Sequence, residues 1–305
     1  MANYSVDEEI ASFFDKTTTT REACDAFAIS FGGCSTPVDI QGVCSYTVYA
    51  GSRSEFVVQF RLKSLKLSLE ISHIARLIYG DFVPRVEYRG QLGEDRVTEN
   101  EEVAATERKD SKTKGTKEAL FIYVMDRIPG ITQLDFVLAH NAEIPEASPG
   151  FAQWRMNLTI GVAKFFALSW KNPQNLDEAK KNDMRKRLKV ELELLQRYLP
   201  KRFKPIVQRS LETLPDIFST LPTVLSHQDF GACNVLVDSA SCELMGVVDW
   251  AEAEIAPFGL NLHSYQRFLG AVNLRTGWSR YDDYAATEEA FWDTFCKESG
   301  EHDPT

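Results

Sequence analysis

The sequence predicts an α+β chain of two lobes, a small antiparallel sheet carrying one helix, followed by a larger and mainly helical part. Residues 37–62 hold three consecutive runs rich in β-branched and aromatic residues, PVDIQG, SYTVYAG and SEFVVQFRL, joined by short turns. From residue 151 onward the apolar period is instead helical, and strands grouped ahead of helices do not build a parallel doubly wound sheet. The length of 305 residues exceeds what one small core needs and suits two substructures. Their joint falls at 125–130, leaving 1–124 as the first lobe and 131–305 as the second.

Ahead of the strands, DEEIASFFDK and TREACDAFAISF read as two short helices, the second capped by Thr20 and ended by Gly32 and Gly33. Behind the strands, LKLSLEISHIARLIYG spaces Leu67, Ile71, Ile74 and Ile78 along one helical face, and Pro84 returns the chain to an extended form. FVPRVEYRG and ALFIYVM are further strands, and the polar residues between them, 91–117, read as a mobile loop or long hairpin. In the second lobe FAQWRMNLTIGVAKFFALSW is a long apolar helix. Residues 177–199 form an amphipathic one, with Leu188, Leu192, Leu195 and Leu199 as a core stripe and KKNDMRKR as the solvated face.

Hydrophobic residues at 44% and charged residues at 26% describe an ordinary globular chain rather than a disordered or membrane one. A net charge of -10 argues against a nucleic-acid partner, because phosphate binding draws on Lys and Arg. No run approaches a membrane span and the N-terminus lacks a basic start followed by an apolar stretch, so the expectation is a cytoplasmic protein with no membrane partner. The six cysteines form no C-x-x-C pair, which points to reduced thiols rather than a zinc site or disulfide framework. Oligomeric state is left open.

The segment SHQDFGACNVLVDSASCELMGVVDW carries the chemistry. Two short strands, VLV and MGVVDW, flank a polar turn, so His227, Asp229, Asn234 and Asp249 converge. Phosphoryl transfer asks for a carboxylate near the attacking hydroxyl and for oxygen ligands that hold magnesium against nucleotide phosphates. Asp229 suits the first role, and Asn234 with Asp249 the second. The same Asp and Asn also suit a plain turn.

This arrangement, H-x-D-x-x-x-x-N followed by Asp on the next strand, resembles the catalytic loop and metal Asp of the aminoglycoside phosphotransferase and choline kinase family, small-molecule relatives of the protein kinases. The resemblance spans about 37–270, and the VVQFR pattern is similar to fungal members. It implies a bilobal protein-kinase-like fold, ATP and Mg as cofactors, and a hydroxyl of a small molecule as acceptor. By the same resemblance Asp229 orients the hydroxyl and accepts its proton, Asn234 and Asp249 hold the metal, and His227 braces the loop.

Further matches lie upstream. QGVCSY occupies the place of a phosphate-covering loop, with Gly42 and Ser45 as its contacts, though it has one glycine and reads equally as a hairpin turn. Glu70 resembles the helix glutamate that pairs with the phosphate-binding lysine. That lysine itself is replaced: alignment places Gln59 there, and Arg61, two residues on along the same strand face, is the available cation. FIYVMDRIPG resembles the last strand and hinge, 125–130, with Met125 as gatekeeper and the Asp126 carbonyl and Ile128 amide facing the purine. Glu252, Glu254, Asp282 and Asp283 read either as solvated charges or as a preference for an amine-bearing alcohol. Gln59 also keeps open a nucleotide-binding scaffold without transfer. A protein kinase is less favoured because no A-P-E segment follows Asp249.

Overall fold

The computed structural model describes residues 4–97 and 116–300, so most of the polar stretch at 91–117 lies outside the described residues. The chain divides into two units, one made of the chain up to His73 with Pro84–Arg127, the other of Ile74–Val83 with Ile128 onward.

The first unit contains helices α1 (Val6–Phe14) and α2 (Arg21–Ile29), and strands β1 (Thr36–Pro37), β2 (Ser45–Ala50) and β3 (Phe56–Leu62). Helix α3 (Leu69–Tyr79) follows and contributes to both units. Strand β4 (Val86–Leu92), the short β5 (Arg96–Val97) and β6 (Thr116–Lys117), and β7 (Leu120–Asp126) complete it. The sheet order is β1-β2-β3-β7-β4 and every pairing is antiparallel. Thr20 caps α2 as the sequence predicts, accepting from the Ala23 amide, and Ser5 caps α1 in the same way, accepting from the Glu8 amide.

Period-two alternation divides the sheet into an apolar and a polar face. Tyr46, Val48, Val58, Phe60, Leu62, Leu120 and Ile122 are buried in one cluster with Ile10, Phe13, Cys24 and Ala28 of the two helices. Burial of each larger side chain contributes about 1.5–3 kcal/mol. The alternate residues, Ser45, Thr47, Gln59, Arg61 and Tyr123, share the other face. The expected first strand is shorter than PVDIQG. Past Pro37, the Gln41 side chain replaces the ladder, accepting from the Thr47 amide (2.9 Å) and donating to the Thr47 and Val38 carbonyls (2.8 and 3.1 Å).

The second unit adds β8 (Ile131–Thr132), α4 (Gln133–His140), α5 (Ala152–Lys171), α6 (Glu178–Tyr198) and α7 (Lys204–Thr220). Strands β9 (Thr223–Ser226), β10 (Val235–Val237), β11 (Leu244–Val247), β12 (Glu254–Pro257), β13 (Gly270–Asn273) and β14 (Gly277–Arg280) precede α8 (Tyr284–Ser299). Its core is the long apolar α5, where Val162, Phe165 and Phe166 are buried and Phe166 meets Phe291 of α8 at 6.2 Å between ring centres. A sheet-rich first unit and a helix-rich second make up the α+β class that the sequence predicts. One expectation is corrected: the α6 leucine stripe is not core. Met184 is the buried residue of α6, Leu188, Leu192 and Leu199 are half-buried, and Leu195 is exposed. The physical reason is that α6 packs chiefly against one neighbour, α7, and a two-helix hairpin cannot enclose a full apolar face.

Candidate active site

Strand β9 is paired along its length with β12 and delivers the chain to His227. That side chain is 1% exposed, and its Nε2 lies 2.9 Å from the Val248 carbonyl oxygen. A carbonyl can only accept, so Nε2 carries the proton, and Nδ1 is left buried with no partner among the described residues. Burial holds the imidazole pKa below its ordinary value, against the opposing pull of the Val248 carbonyl, Asp249 and Asp229. His227 is therefore a neutral brace between two loops.

The turn that follows is built from local bonds. Gln228 adopts φ 64°, and the Asp229 amide donates back to the His227 carbonyl at 2.9 Å. Phe230 anchors the loop in an aromatic nest of Phe165, Phe166 and Phe268, with ring centres 5.5, 5.4 and 6.0 Å away. The Gly231 carbonyl accepts from the Asn234 and Val235 amides at 2.9 and 3.0 Å. Asn234 Nδ2 then donates to both the main-chain oxygen and Oδ2 of Asp229, each at 2.9 Å. Both partners are acceptors only, which orients the amide and leaves Asn234 Oδ1 unengaged.

Strands β10 and β11 form the hairpin that returns Asp249 to this loop. Val235 pairs with Val247 and Leu236 with Gly246, and the Val248 amide donates to the Asn234 carbonyl at 2.9 Å. Asp249 sits at φ 60°, ψ 68°, a left-handed conformation that Asp tolerates better than most residues. Trp250 clamps it: Nε1 donates to the Val247 carbonyl at 3.0 Å, and its ring lies 4.7 Å from His227 and 5.0 Å from Tyr79. The carboxyl groups of Asp229 and Asp249 belong to exposed residues, whereas the frame that holds them is buried.

This donor set fits a hard divalent cation. Asn234 Oδ1 and the Asp249 carboxylate are hard oxygen donors with no hydrogen-bond or ion-pair partner among the described residues. Among the described residues no three His, Cys, Asp or Glu side chains converge as a cage. Magnesium asks for one or two protein carboxylates and takes its other oxygens from phosphate and water. Of the acidic residues considered for an amine, Glu254 is paired with Arg187 at 2.9 Å and Asp283 with the buried Arg155 at 2.8 Å. Glu252 and Asp282 are exposed with no cation within 4 Å among the described residues.

In the first unit, Gln59 pairs across the sheet with Thr47 and Tyr123, and Arg61 with Ser45 and Phe121. Arg61 is 6% exposed; its Nε donates to the Leu65 carbonyl at 2.9 Å and a terminal nitrogen reaches Gln59 Oε1 at 3.4 Å. No carboxylate lies within 4 Å of it among the described residues. Glu70 is exposed on the first turn of α3 and has no ion pair among the described residues. The Gly42 carbonyl accepts from the Ser45 amide at 3.4 Å, so residues 42–45 form a turn, and Ser45 Oγ lies 3.2 Å from Thr47 Oγ1. Met125 pairs with Val57, and Asp126 with Phe56. In the second unit the Ile128 amide has no hydrogen-bond partner among the described residues, and its side chain packs on Gly246, where a Cβ would approach Ile128 Cδ1 to 2.7 Å. Sequence reasoning passed over Gln41 as a brace, Tyr79 as a wall and Gly246 as a close approach. Only the last had a signal, a glycine inside a strand.

The model of the phosphotransferase enzyme family matches residues 50–283. No curated protein matches this sequence. Among solved structures, a Ralstonia eutropha JMP134 protein provisionally assigned as an aminoglycoside phosphotransferase is 12% identical, with a TM-score of 0.51, over 92% of this chain and 80% of that one. The aminoglycoside phosphotransferase APH(3'')-Id of Streptomyces rimosus is 14% identical, with a TM-score of 0.47, over 92% of this chain and 93% of its own. These likenesses concern the fold.

Proposed function

The chain belongs to the phosphotransferase enzyme family, and we propose that it moves the γ-phosphoryl group of ATP to a hydroxyl of a small-molecule acceptor, with Asp229 as base. The observation that carries this reading is the pair of hydrogen bonds that Asn234 Nδ2 donates to Asp229. It holds one carboxylate oxygen and leaves the other free to receive a proton. As the acceptor oxygen bonds to phosphorus, its proton passes to Asp229, and the bond to the departing nucleotide oxygen breaks. Asn234 Oδ1 and Asp249 would hold Mg²⁺, which when bound neutralises developing charge on the phosphate oxygens.

On the nucleotide side, the polar sheet face with Ser45, Gln59 and Arg61 supports a phosphate contact. A buried guanidinium without a carboxylate is costly unless an anion offsets it, which favours Arg61 as the cation in place of lysine. Gly42, Met125, the Asp126 carbonyl and the Ile128 amide remain the proposed contacts of loop and purine. Glu70 would take part only after a rearrangement of its side chain. No helix among the described residues is long and apolar enough to cross a membrane.

Asp229→Asn is expected to lower kcat about 10²–10⁴-fold while leaving Mg-ATP binding in place. Unchanged turnover would remove Asp229 from the role. A second reading, a nucleotide-binding scaffold, is favoured by the unpaired Glu70 and by Gln59. Stabilisation by Mg-ATP in thermal unfolding, without ADP release on any alcohol in a broad panel, would establish it instead.

A further inference from the structure

The α6–α7 hairpin has a charge opposite to that of the protein around it. Between residues 178 and 209 Lys and Arg outnumber Asp and Glu eleven to four, in a chain of net charge -10. The cations divide into two groups. Those on the first half of α6 have partners nearby: Lys180, Lys181, Lys186, Arg187 and Lys189 each have a carboxylate within 4 Å, and Arg185 donates to Asn182 Oδ1 at 2.6 Å. At the turn the pattern changes. Arg197, Lys201, Arg202, Lys204 and Arg209 are exposed, no Asp or Glu occurs between 197 and 209, and none of the five has an ion pair among the described residues.

The same turn exposes large apolar side chains. Tyr198 is 75% and Ile206 66% accessible, and Leu194 and Val190 lie one and two helical turns behind Tyr198 on one stripe of α6, at 47% and 55%. That stripe is about 12 Å long. A helix that folds alone on a protein surface keeps such residues for its core face; here the half-buried leucines already serve α7.

We propose that the α6–α7 turn docks this protein on an anionic lipid surface, with Arg197, Lys201, Arg202, Lys204 and Arg209 at the headgroups and Tyr198, Ile206 and Leu194 entering the boundary with the acyl chains. Clustered Lys and Arg attract an acidic leaflet, and tyrosine and aliphatic side chains gain by leaving water at its interface. A nucleic acid would use the cations but offers no apolar boundary for Ile206 and Leu194. An acidic protein would need a concavity shaped to a protruding turn. The protein would lie on the bilayer rather than cross it, so the sequence-based expectation of no membrane partner is revised only for its surface. The overall negative charge is not prohibitive, because attraction acts within about a Debye length of 8–10 Å and the turn presents its cations locally.

The test is co-sedimentation of the full chain with vesicles of phosphatidylcholine alone or with about 30% phosphatidylserine. The expected result is binding to the anionic vesicles only, weakened by salt. It should fall at least about tenfold in the triple variant Lys201→Glu, Arg202→Glu, Lys204→Glu. It should also fall in Tyr198→Ser with Ile206→Ser, which leaves the charge unchanged. Because all five positions are exposed, thermal unfolding of the variants should match the parent and exclude misfolding as the cause. Failure to bind anionic vesicles overturns the proposal. So does binding that the uncharged pair of substitutions leaves intact, since any polyanion would then serve, and so does preferential retention of a single-stranded RNA.

Discussion

Replacing His227 by Phe isolates the brace beneath the active site. The aromatic volume and its contacts with Trp250 and Phe230 are approximately kept, while the bond from Nε2 to the Val248 carbonyl is lost. Val248 is half-buried, so leaving its carbonyl without its donor costs up to about 1–3 kcal/mol, equivalent to at most a roughly 5- to 150-fold shift in the unfolding equilibrium. Val248 immediately precedes the left-handed Asp249, so release of its carbonyl should also let the Asp249 carboxylate drift. The expected loss in kcat is about ten- to a hundredfold. The pH dependence follows from the depressed imidazole pKa. In the unfolded chain the ring titrates near 6.5 and in the folded protein lower, so as pH falls below about 6.5 the unfolded state takes up the proton first. His227 therefore leaves stability intact above that pH and diminishes it below, and the Phe variant should show a flatter profile over the same window. Urea unfolding followed by tryptophan fluorescence between pH 5 and 8 measures both effects. His227→Gln, which restores an N–H donor, should recover part of the kcat. A Phe variant as stable as the parent, with the same pH slope, would refute the brace.

Other outcomes follow from the same frame. Asp249→Asn should lower turnover and raise the magnesium concentration needed for half-maximal rate, while unfolding at nearly the parent temperature because Asn tolerates the left-handed backbone; an unchanged magnesium dependence would count against Asp249 as a ligand. Gln41→Ala removes three hydrogen bonds in the first unit and should cost about 1–3 kcal/mol, with faster amide exchange at Val38 and Thr47 as the local signature. Phe291→Ala opens the α5–α8 core and should destabilise by about 3–5 kcal/mol, measured by chemical denaturation. With a thiol reagent, Cys34 and Cys233 should react quickly and Cys24 and Cys242 only on unfolding, since the latter two are buried and burial pushes the Cys242 thiol up to about 12.

Much of the fold was legible because its signals are local. The change of apolar period near Pro37 and again after Phe151 reports strand and helix directly, and Thr20 sits where a helix needs a hydroxyl cap. The cluster from His227 to Asp249 was legible for a similar reason. A short turn and one hairpin bring its members together, so spacing along the chain predicts nearness in space. Less local features were not. The Gln41 side chain takes over strand pairing, a role no propensity encodes. Arg61 is bonded to the Leu65 carbonyl four residues away, and a period-two argument placed it on the correct face without revealing that contact. The α6 leucines have a core-like spacing, but burial depends on how many neighbours surround a helix, and that is a property of the packed unit.

By itself the sequence determined the α+β class, the order of its elements and the identity of the candidate base and metal ligands, because periodicity, capping and short-range spacing act within a few residues. Only the tertiary structure decided that His227 is neutral and bonded to Val248, that Asp229 is held by Asn234 on one side alone, and that the leucines of α6 remain partly in water. Burial, the pairing of charges and the choice of hydrogen-bond partner are set by atoms distant in the chain, whose positions exist only once the chain has packed.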